Sequence, residues 1–301
     1  MSRNRTAKRR ARPAAWLKGS HLYNGAMLHL TAVNDYLAFD ARECRELGRS
    51  LADRYRTAEP FPHIVLDDLV DAEVLGSVLA DFPGSADKPY FDRDQERLKF
   101  QFQPQEVSSG LVRNVFSELN SQAFLGFLEE MTGIEGLIPD PYFEGGGLHE
   151  TKQGGHLGVH ADFNIHSQLK LERRLNLLVY LNEDWNEEYG GALELWNRDM
   201  SECAIRVAPL FGRAVVFNTA LDSYHGHPDP LNCPADRSRR SIATYYYTAA
   251  EDGVTALPKR TTNFQQRPSS EDRIDWKVRR YHFVNDWIPP KLQRLAHRLF
   301  G

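Results

Sequence analysis

His160-Ala161-Asp162, in the run Gly158-Val-His-Ala-Asp-Phe163, decides how this chain is read, together with His225 sixty-three residues downstream. On a β-strand, residues i and i+2 face the same side, so His160 and Asp162 can grip one ion together. Two imidazoles and a carboxylate form a facial set suited to ferrous iron, with the opposite face left open. His227 lies two residues beyond His225 and could face the same way, so it stands as the alternative third ligand.

Alone, a His-x-Asp tripeptide carries little weight in a chain with 11 histidines and 41 acidic residues. The order of the downstream segments carries more. An apolar run, Leu175-Asn-Leu-Leu-Val-Tyr-Leu181, leads into Asn182-Glu-Asp-Trp185. Then come Gly190-Gly191, the strand-like Ala192-Leu-Glu-Leu-Trp196, and Gly212-Arg-Ala-Val-Val-Phe217 ahead of Ser223-Tyr-His225. Arg239-Arg-Ser241-Ile-Ala-Thr-Tyr-Tyr-Tyr247 closes the set. From about residue 140 the hydrophobic period approaches two, with short strands between Gly, Pro and Asn turns. Many short strands around an inward-facing metal site indicate a double-stranded β-helix, a cupin-like jelly roll spanning about 140–250. The fold class expected is therefore mainly β with flanking helices (α+β), the jelly roll braced by N-terminal helices.

This succession resembles the iron(II)/2-oxoglutarate-dependent dioxygenases, in their prolyl-4-hydroxylase-like branch, over about residues 60–250. The resemblance implies that His160, Asp162 and His225 bind iron. It implies further that Arg239 and Ser241 hold the far carboxylate of 2-oxoglutarate, with the Tyr180 phenol on the same group. A guanidinium fork matches a carboxylate well. Arg240 rivals Arg239, since a one-residue slip turns every side chain to the other face; the Arg-x-Ser pattern favours Arg239. The implied reaction is hydroxylation of an unactivated C–H bond with release of succinate and carbon dioxide. Iron(II), 2-oxoglutarate and dioxygen take part, and ascorbate is a candidate reductant. Asp162 itself argues for hydroxylation, since related halogenases carry a small residue there. Peptidyl-proline, a free amino acid or another small molecule would be the substrate.

Gly145-Gly-Gly147-Leu-His149-Glu150 and Lys152-Gln-Gly-Gly155-His156 enter the iron strand. His149, Glu150, His156 and His227 are candidates for substrate contact. The loop from Gly226 to Ser238, stiffened by three prolines, is expected to wall the substrate pocket.

The rest of the chain sets the frame. With 37 basic and 41 acidic residues in 301, the net charge of −4 gives no overall polyanion-binding signature. Residues 1–20 form a basic tail read as disordered; if that tail bound nucleic acid, a nucleic-acid-directed oxygenase would be the alternative. A non-catalytic cupin-like binding protein is the other. Cys44, Cys203 and Cys233 look like reduced thiols, and no run suits a transmembrane helix, so a cytoplasmic protein is expected. The domain reading is 21–253 for the dioxygenase unit and 254–301 for a C-terminal helical extension. Helices are expected over 40–56, capped by Asp40, after Asp71, and in two stretches ending at Gly133. A long loop or irregular strand is expected over 85–106. After Pro289-Pro290 a basic amphipathic helix with Leu292, Leu295, Leu299 and Phe300 is expected to dock on its own domain.

Overall fold

A computed structural model describes residues 23–24, 27–85, 88–249 and 260–287. The expected basic tail and the helix after Pro290 lie outside the described residues. A short strand β1 (Tyr23–Asn24) and a hairpin, β2 (Leu30–Val33) and β3 (Tyr36–Phe39), precede helix α1 (Ala41–Arg56). Strand β4 (His63–Asp67) and α2 (Ala72–Ala80) follow, then the hairpin β5 (Phe91–Arg93) and β6 (Glu96–Phe102). Helices α3 (Gly110–Leu119) and α4 (Gln122–Thr132) and the short β7 (Ile138–Pro139) lead into the barrel strands. These are β8 (Gly147–Ala161), β9 (Glu172–Tyr180), β10 (Leu193–Trp196), β11 (Cys203–Val207), β12 (Ala214–Asn218), β13 (His225–His227) and β14 (Ser238–Thr248). The chain then adds β15 (Asn263–Phe264) and α5 (Trp276–Trp287).

One antiparallel path, β4-β12-β9-β14-β8-β13-β10-β11, curls into the jelly roll. The fifteen-residue β8 belongs to both halves: its first part pairs with β14 and its last part with β13. Alternation on β9 and β14 separates two environments. Leu175, Leu177, Val179, Ile242 and Tyr246 turn outward into one core with Leu51, Leu75, Phe116, Phe124 and Phe127 of the helices. Leu178, Tyr180, Val215, Phe217, Leu193 and Leu195 turn inward and form a second cluster between the sheets. The helices are thus the brace that the sequence suggests. Apart from the partly buried Leu178, each of these side chains contributes roughly 1.5–3 kcal/mol by leaving water.

The helix ends follow from local chemistry. Asp40 accepts hydrogen bonds from the Arg42 and Glu43 amides, satisfying donors that the first turn leaves open. At α4 the chain leaves the helix through Gly133 at φ 75°. Asp71, at the N-cap position of α2, makes no side-chain capping bond; it accepts the Leu30 amide and meets the His29 ring, tying α2 to the first hairpin.

The structure refines three expectations. Of the two readings of 85–106, the irregular strand holds for the second half: β5 and β6 form a hairpin, and β6, with a register shift at Leu98, pairs with β8 from Glu96 to Phe102. Beyond 254, the described residues place β15 against β8 at Ala161 and His160, and α5 over Trp276–Trp287. Of the loop from Gly226 to Ser238, Gly226 and His227 line the cavity and the remaining residues do not. Gly154 and Gly155 exchange backbone hydrogen bonds with Leu231. This draws Leu231 and Cys233 against Trp185.

Candidate functional site

Between the two sheets lies a cavity of about 410 Å3, with His160, Asp162 and His225 lining it. The cross-strand pair His225↔His160 brings β13 against the end of β8, and Asp162 lies two residues further on. Gly226 is required at this crossing: a Cβ there would meet the Leu157 and Gly158 carbonyls at 2.8 and 2.7 Å. One donor atom from each of His160, Asp162 and His225 lies within 4.8 Å of the others. The Nε2 atoms of His160 and His225 are each 3.5 Å from an oxygen of Asp162. Neighbouring ligands around a small divalent ion with oxygen bonds near 2.1 Å lie about 3 Å apart, so such an ion needs little closure.

The donor chemistry fits a metal. His160 Nδ1 meets the Gly158 carbonyl at 2.8 Å, and His225 Nδ1 meets the Ser223 carbonyl at 3.0 Å. With those carbonyls accepting, each ring carries its proton on Nδ1 and keeps a lone pair on Nε2, aimed at the shared centre. Burial pushes His225 down to about 4, against the pull of Asp162, so its ring is neutral at pH 7. Burial works against the Asp162 charge, but the Arg173 guanidinium and the two imidazoles outweigh it. They hold the carboxyl well below its usual range.

Arg173 is the principal feature that sequence reasoning missed. Its side chain is buried and lies 3.2 Å from Asp162. It stacks on the Tyr245 ring at 3.6 Å and donates to Asn176 Oδ1 through Nε and Nη2. Asn176 Nδ2 in turn donates to Asp162 at 2.8 Å. The only sequence signal is Asn176, a polar residue within an apolar run. Regular alternation would pair Asn176 with Arg174 instead. A register shift between β9 and β14 beside Tyr246 turns Arg173 inward.

Arg239 lines the same cavity, and no carboxylate pairs with its guanidinium among the described residues. Nε donates to the Gly191 carbonyl at 2.7 Å and Nη2 to the Tyr180 hydroxyl at 3.1 Å. Ser241, two residues along β14, lines the cavity beside it. Tyr180 itself does not line the cavity: it is fully buried and reaches the site through Arg239. Gly191 sits at φ 73°, and a Cβ there would meet Arg239 Cδ at 3.0 Å and Leu231 Cδ2 at 2.6 Å. Arg240 takes the opposite face, 3.3 Å from Glu150 and 4.8 Å from the centre of the Phe82 ring.

The four substrate candidates divide. His149 and His227 line the cavity, both held neutral by burial together with the cations Lys99 and Arg239. Glu150 does not reach it: next to His149 on β8, it faces outward and accepts from Ser238 and Arg240. His156 is also elsewhere, with Nε2 3.1 Å from the Asp94 carbonyl on the hairpin turn. Glu194 on β10 lies outside the cavity, bonded to Trp196 and Arg206.

The family model described as the 2OG-Fe(II) oxygenase superfamily matches residues 146–247. No curated protein matches the sequence. Among solved structures, a prolyl hydroxylase from Trichoplax adhaerens, in complex with a hypoxia inducible factor fragment, is 15% identical with a TM-score of 0.50. The match covers 68% of this chain and 91% of that one. A Pseudomonas putida prolyl-4-hydroxylase is 16% identical (TM-score 0.47), covering 68% of this chain and 100% of that one. HygX from Streptomyces hygroscopicus, with nickel and 2-oxoglutarate bound, is 12% identical (TM-score 0.46), covering 66% and 87%. The Trichoplax likeness concerns the fold alone.

Proposed function

The chain carries a 2OG-Fe(II) oxygenase superfamily domain at residues 146–247 and is a 2-oxoglutarate-dependent dioxygenase; on that premise we propose that it hydroxylates an unactivated C–H bond. His160, Asp162 and His225 hold the ferrous ion. Arg239 binds the distal carboxylate of 2-oxoglutarate, with Ser241 adding a hydroxyl. When bound, iron and 2-oxoglutarate together supply dioxygen activation coupled to oxidative decarboxylation, leaving succinate and carbon dioxide.

The protein's part is placement and dryness. Tyr180 and the Gly191 carbonyl fix two donors of Arg239, so Nη1 and the second hydrogen of Nη2 present one fork to an incoming carboxylate. Arg173 and Asn176 hold Asp162 ionised and oriented. Leu178, Leu193 and Phe217 line the cavity with apolar surface that excludes water around the reacting carbon. The observation that carries the reading is the combination, in one cavity, of three metal-type donors and a buried guanidinium that pairs with no carboxylate among the described residues.

The test is anaerobic. Iron(II) and 2-oxoglutarate are added to metal-free protein, and the visible charge-transfer band of the chelate is recorded. Wild type should show the band, and Asp162→Ala and Arg239→Ala should weaken it. Absence of a band in folded wild-type protein overturns the reading. Succinate release with and without ascorbate then tests the reductant.

A further inference from the structure

We propose that the substrate of this site is a small organic anion, seated against Lys99 on the β5–β6 hairpin beneath a strap formed by residues 260–278, and not a residue of a polypeptide. This rests on the function proposed above and names its substrate class.

The first observation is charge. Among the described residues, the cavity is lined by four cations (Arg93, Lys99, Arg173 and Arg239) against two carboxylates, Glu96 and Asp162, an excess of two positive charges. A ferrous ion and the 2-oxoglutarate dianion cancel, so loading the site leaves that excess in place. Arg93 is half exposed and solvent screens it, whereas the Lys99 side chain is only 13% exposed. Leaving Arg93 out, one uncompensated positive charge remains inside. In a water-poor site this favours an anionic ligand and disfavours a neutral one of the same shape.

The second observation is how Lys99 comes to face inward. Glu96 and Lys99 are three apart on β6, which regular alternation would send to opposite faces. Leu98 adopts φ 48°, and the register with β8 shifts between Arg97 and Lys99. Such a bulge re-aims side chains at the cost of an unfavourable backbone conformation for leucine. As a result, both Glu96 and Lys99 line the cavity, 2.9 Å apart. Glu96 is buried and also bound by Arg93 at 2.8 Å, so it is fully engaged. Lys99 Nζ has three donors, and Glu96 takes one. Thr151, the cross-strand partner of Lys99, adds a hydroxyl to the same wall.

The third observation is size. At about 410 Å3 the cavity is near the small end of ligand sites, roughly 300–1,000 Å3, and must hold 2-oxoglutarate as well. A polypeptide would need an open cleft leaving in two directions. The strap closes one. The Gln265 amide donates to the Val159 carbonyl at 2.8 Å, and the Phe264 ring lies 5.3 Å from that of His160. Arg267 is bound to Asp229 and Asp272, while Arg273 and its carbonyl meet Asp94 and Gln95 at the hairpin turn. Hairpin and strap therefore meet across the mouth.

The test loads full-length protein with iron(II) and 2-oxoglutarate without oxygen and confirms the chelate band. It then titrates free amino acids, short carboxylic acids and phosphate monoesters, each beside its neutral ester or parent alcohol, and a capped proline-rich peptide. Binding is read as a shift of the band, turnover as succinate formed on admitting oxygen. At least one anion should shift the band and stimulate succinate at a concentration tenfold or more below its neutral counterpart. The carboxylate and phosphate arms tell which anion is meant. Lys99→Gln should raise the half-saturating concentration at least tenfold, about 1.4 kcal/mol, and Lys99→Arg should restore most of the response. The inference is overturned if the neutral counterpart acts as well as the anion, or if the capped peptide stimulates. It is equally overturned if no anion acts, or if anions only erase the band by displacing 2-oxoglutarate. Absence of the band at the outset marks failure of the dioxygenase reading itself.

Discussion

Replacing Arg173 by methionine removes the cation 3.2 Å from Asp162 while keeping much of the side chain's bulk. Deleting one partner of a buried ion pair costs roughly 3–5 kcal/mol, because the remaining charge is left uncompensated. Asn176 still donates to Asp162, and both imidazoles remain 3.5 Å away, so the low end, about 3 kcal/mol, applies. For a domain of this size each kcal/mol moves Tm by roughly 2–4 °C, giving a drop of about 6–12 °C in metal-free protein. A divalent ion restores the missing compensation, so the drop should shrink when cobalt(II) is added. Acid provides a second control. Asp162 is depressed in the folded protein, so the pair's stabilisation is present above the unfolded carboxyl value, near 3.9, and fades as pH falls through the lower folded value. The gap between wild type and variant should therefore be full at pH 7 and close below about pH 4. Calorimetry of chelator-treated protein, with and without cobalt, measures all three. A metal-free drop under about 2 °C, or the same drop with and without cobalt, would refute the reasoning.

Tyr180→Phe should weaken 2-oxoglutarate binding about tenfold, since a hydrogen bond to a charged group is worth roughly 1.5–3 kcal/mol; an unchanged titration of the chelate band would show that Arg239 does not depend on it. Gly191→Ala should lower Tm and also weaken 2-oxoglutarate, because the new methyl meets Arg239 Cδ at 3.0 Å in a left-handed backbone costing about 1–2 kcal/mol. Loss of Tm with unaltered cosubstrate affinity would exclude the clash with Arg239. Arg240→Ala should do the reverse, lowering stability through Glu150 and Phe82 while 2-oxoglutarate affinity stays within about twofold, a change under half a kcal/mol. Burial lowers His225 to about 4. Metal-free protein should therefore lose stability as pH falls from about 6.5 toward 4. The slope should be reduced in His225→Asn; equal slopes would argue against a buried neutral ring.

The barrel strands were legible because their chemistry alternates cleanly. Arg239 and Ser241 face one way and Arg240 the other, and the same rule carried His160 and Asp162 inward. What was not legible sits where alternation breaks. The bulge at Leu98 hid β6 and with it Lys99 and Glu96; the register shift beside Tyr246 hid Arg173. Glu150 was offered alongside His149, yet adjacent residues on a strand cannot both face the cavity. The strap was invisible for another reason: β15 is two residues long and has no period to read. Its place is set by backbone pairing with β8.

That dependence on β8 bears on how the chain is made. β8 lies among β6, β13, β14 and β15, whose residues run from 96 to 264. When Ala161 has been synthesised, its partners in β13, β14 and β15 do not yet exist; the last arrives roughly 100 residues later, at Phe264. At about 5–20 residues per second the nascent strand waits on the order of 5–20 s, with apolar and backbone groups unpaired. Pairings so distant in sequence also close slowly once available. Recombinant yield should therefore respond to slower translation and to holdase chaperones acting on this interval, and a fragment ending before residue 264 should aggregate more readily than the full chain.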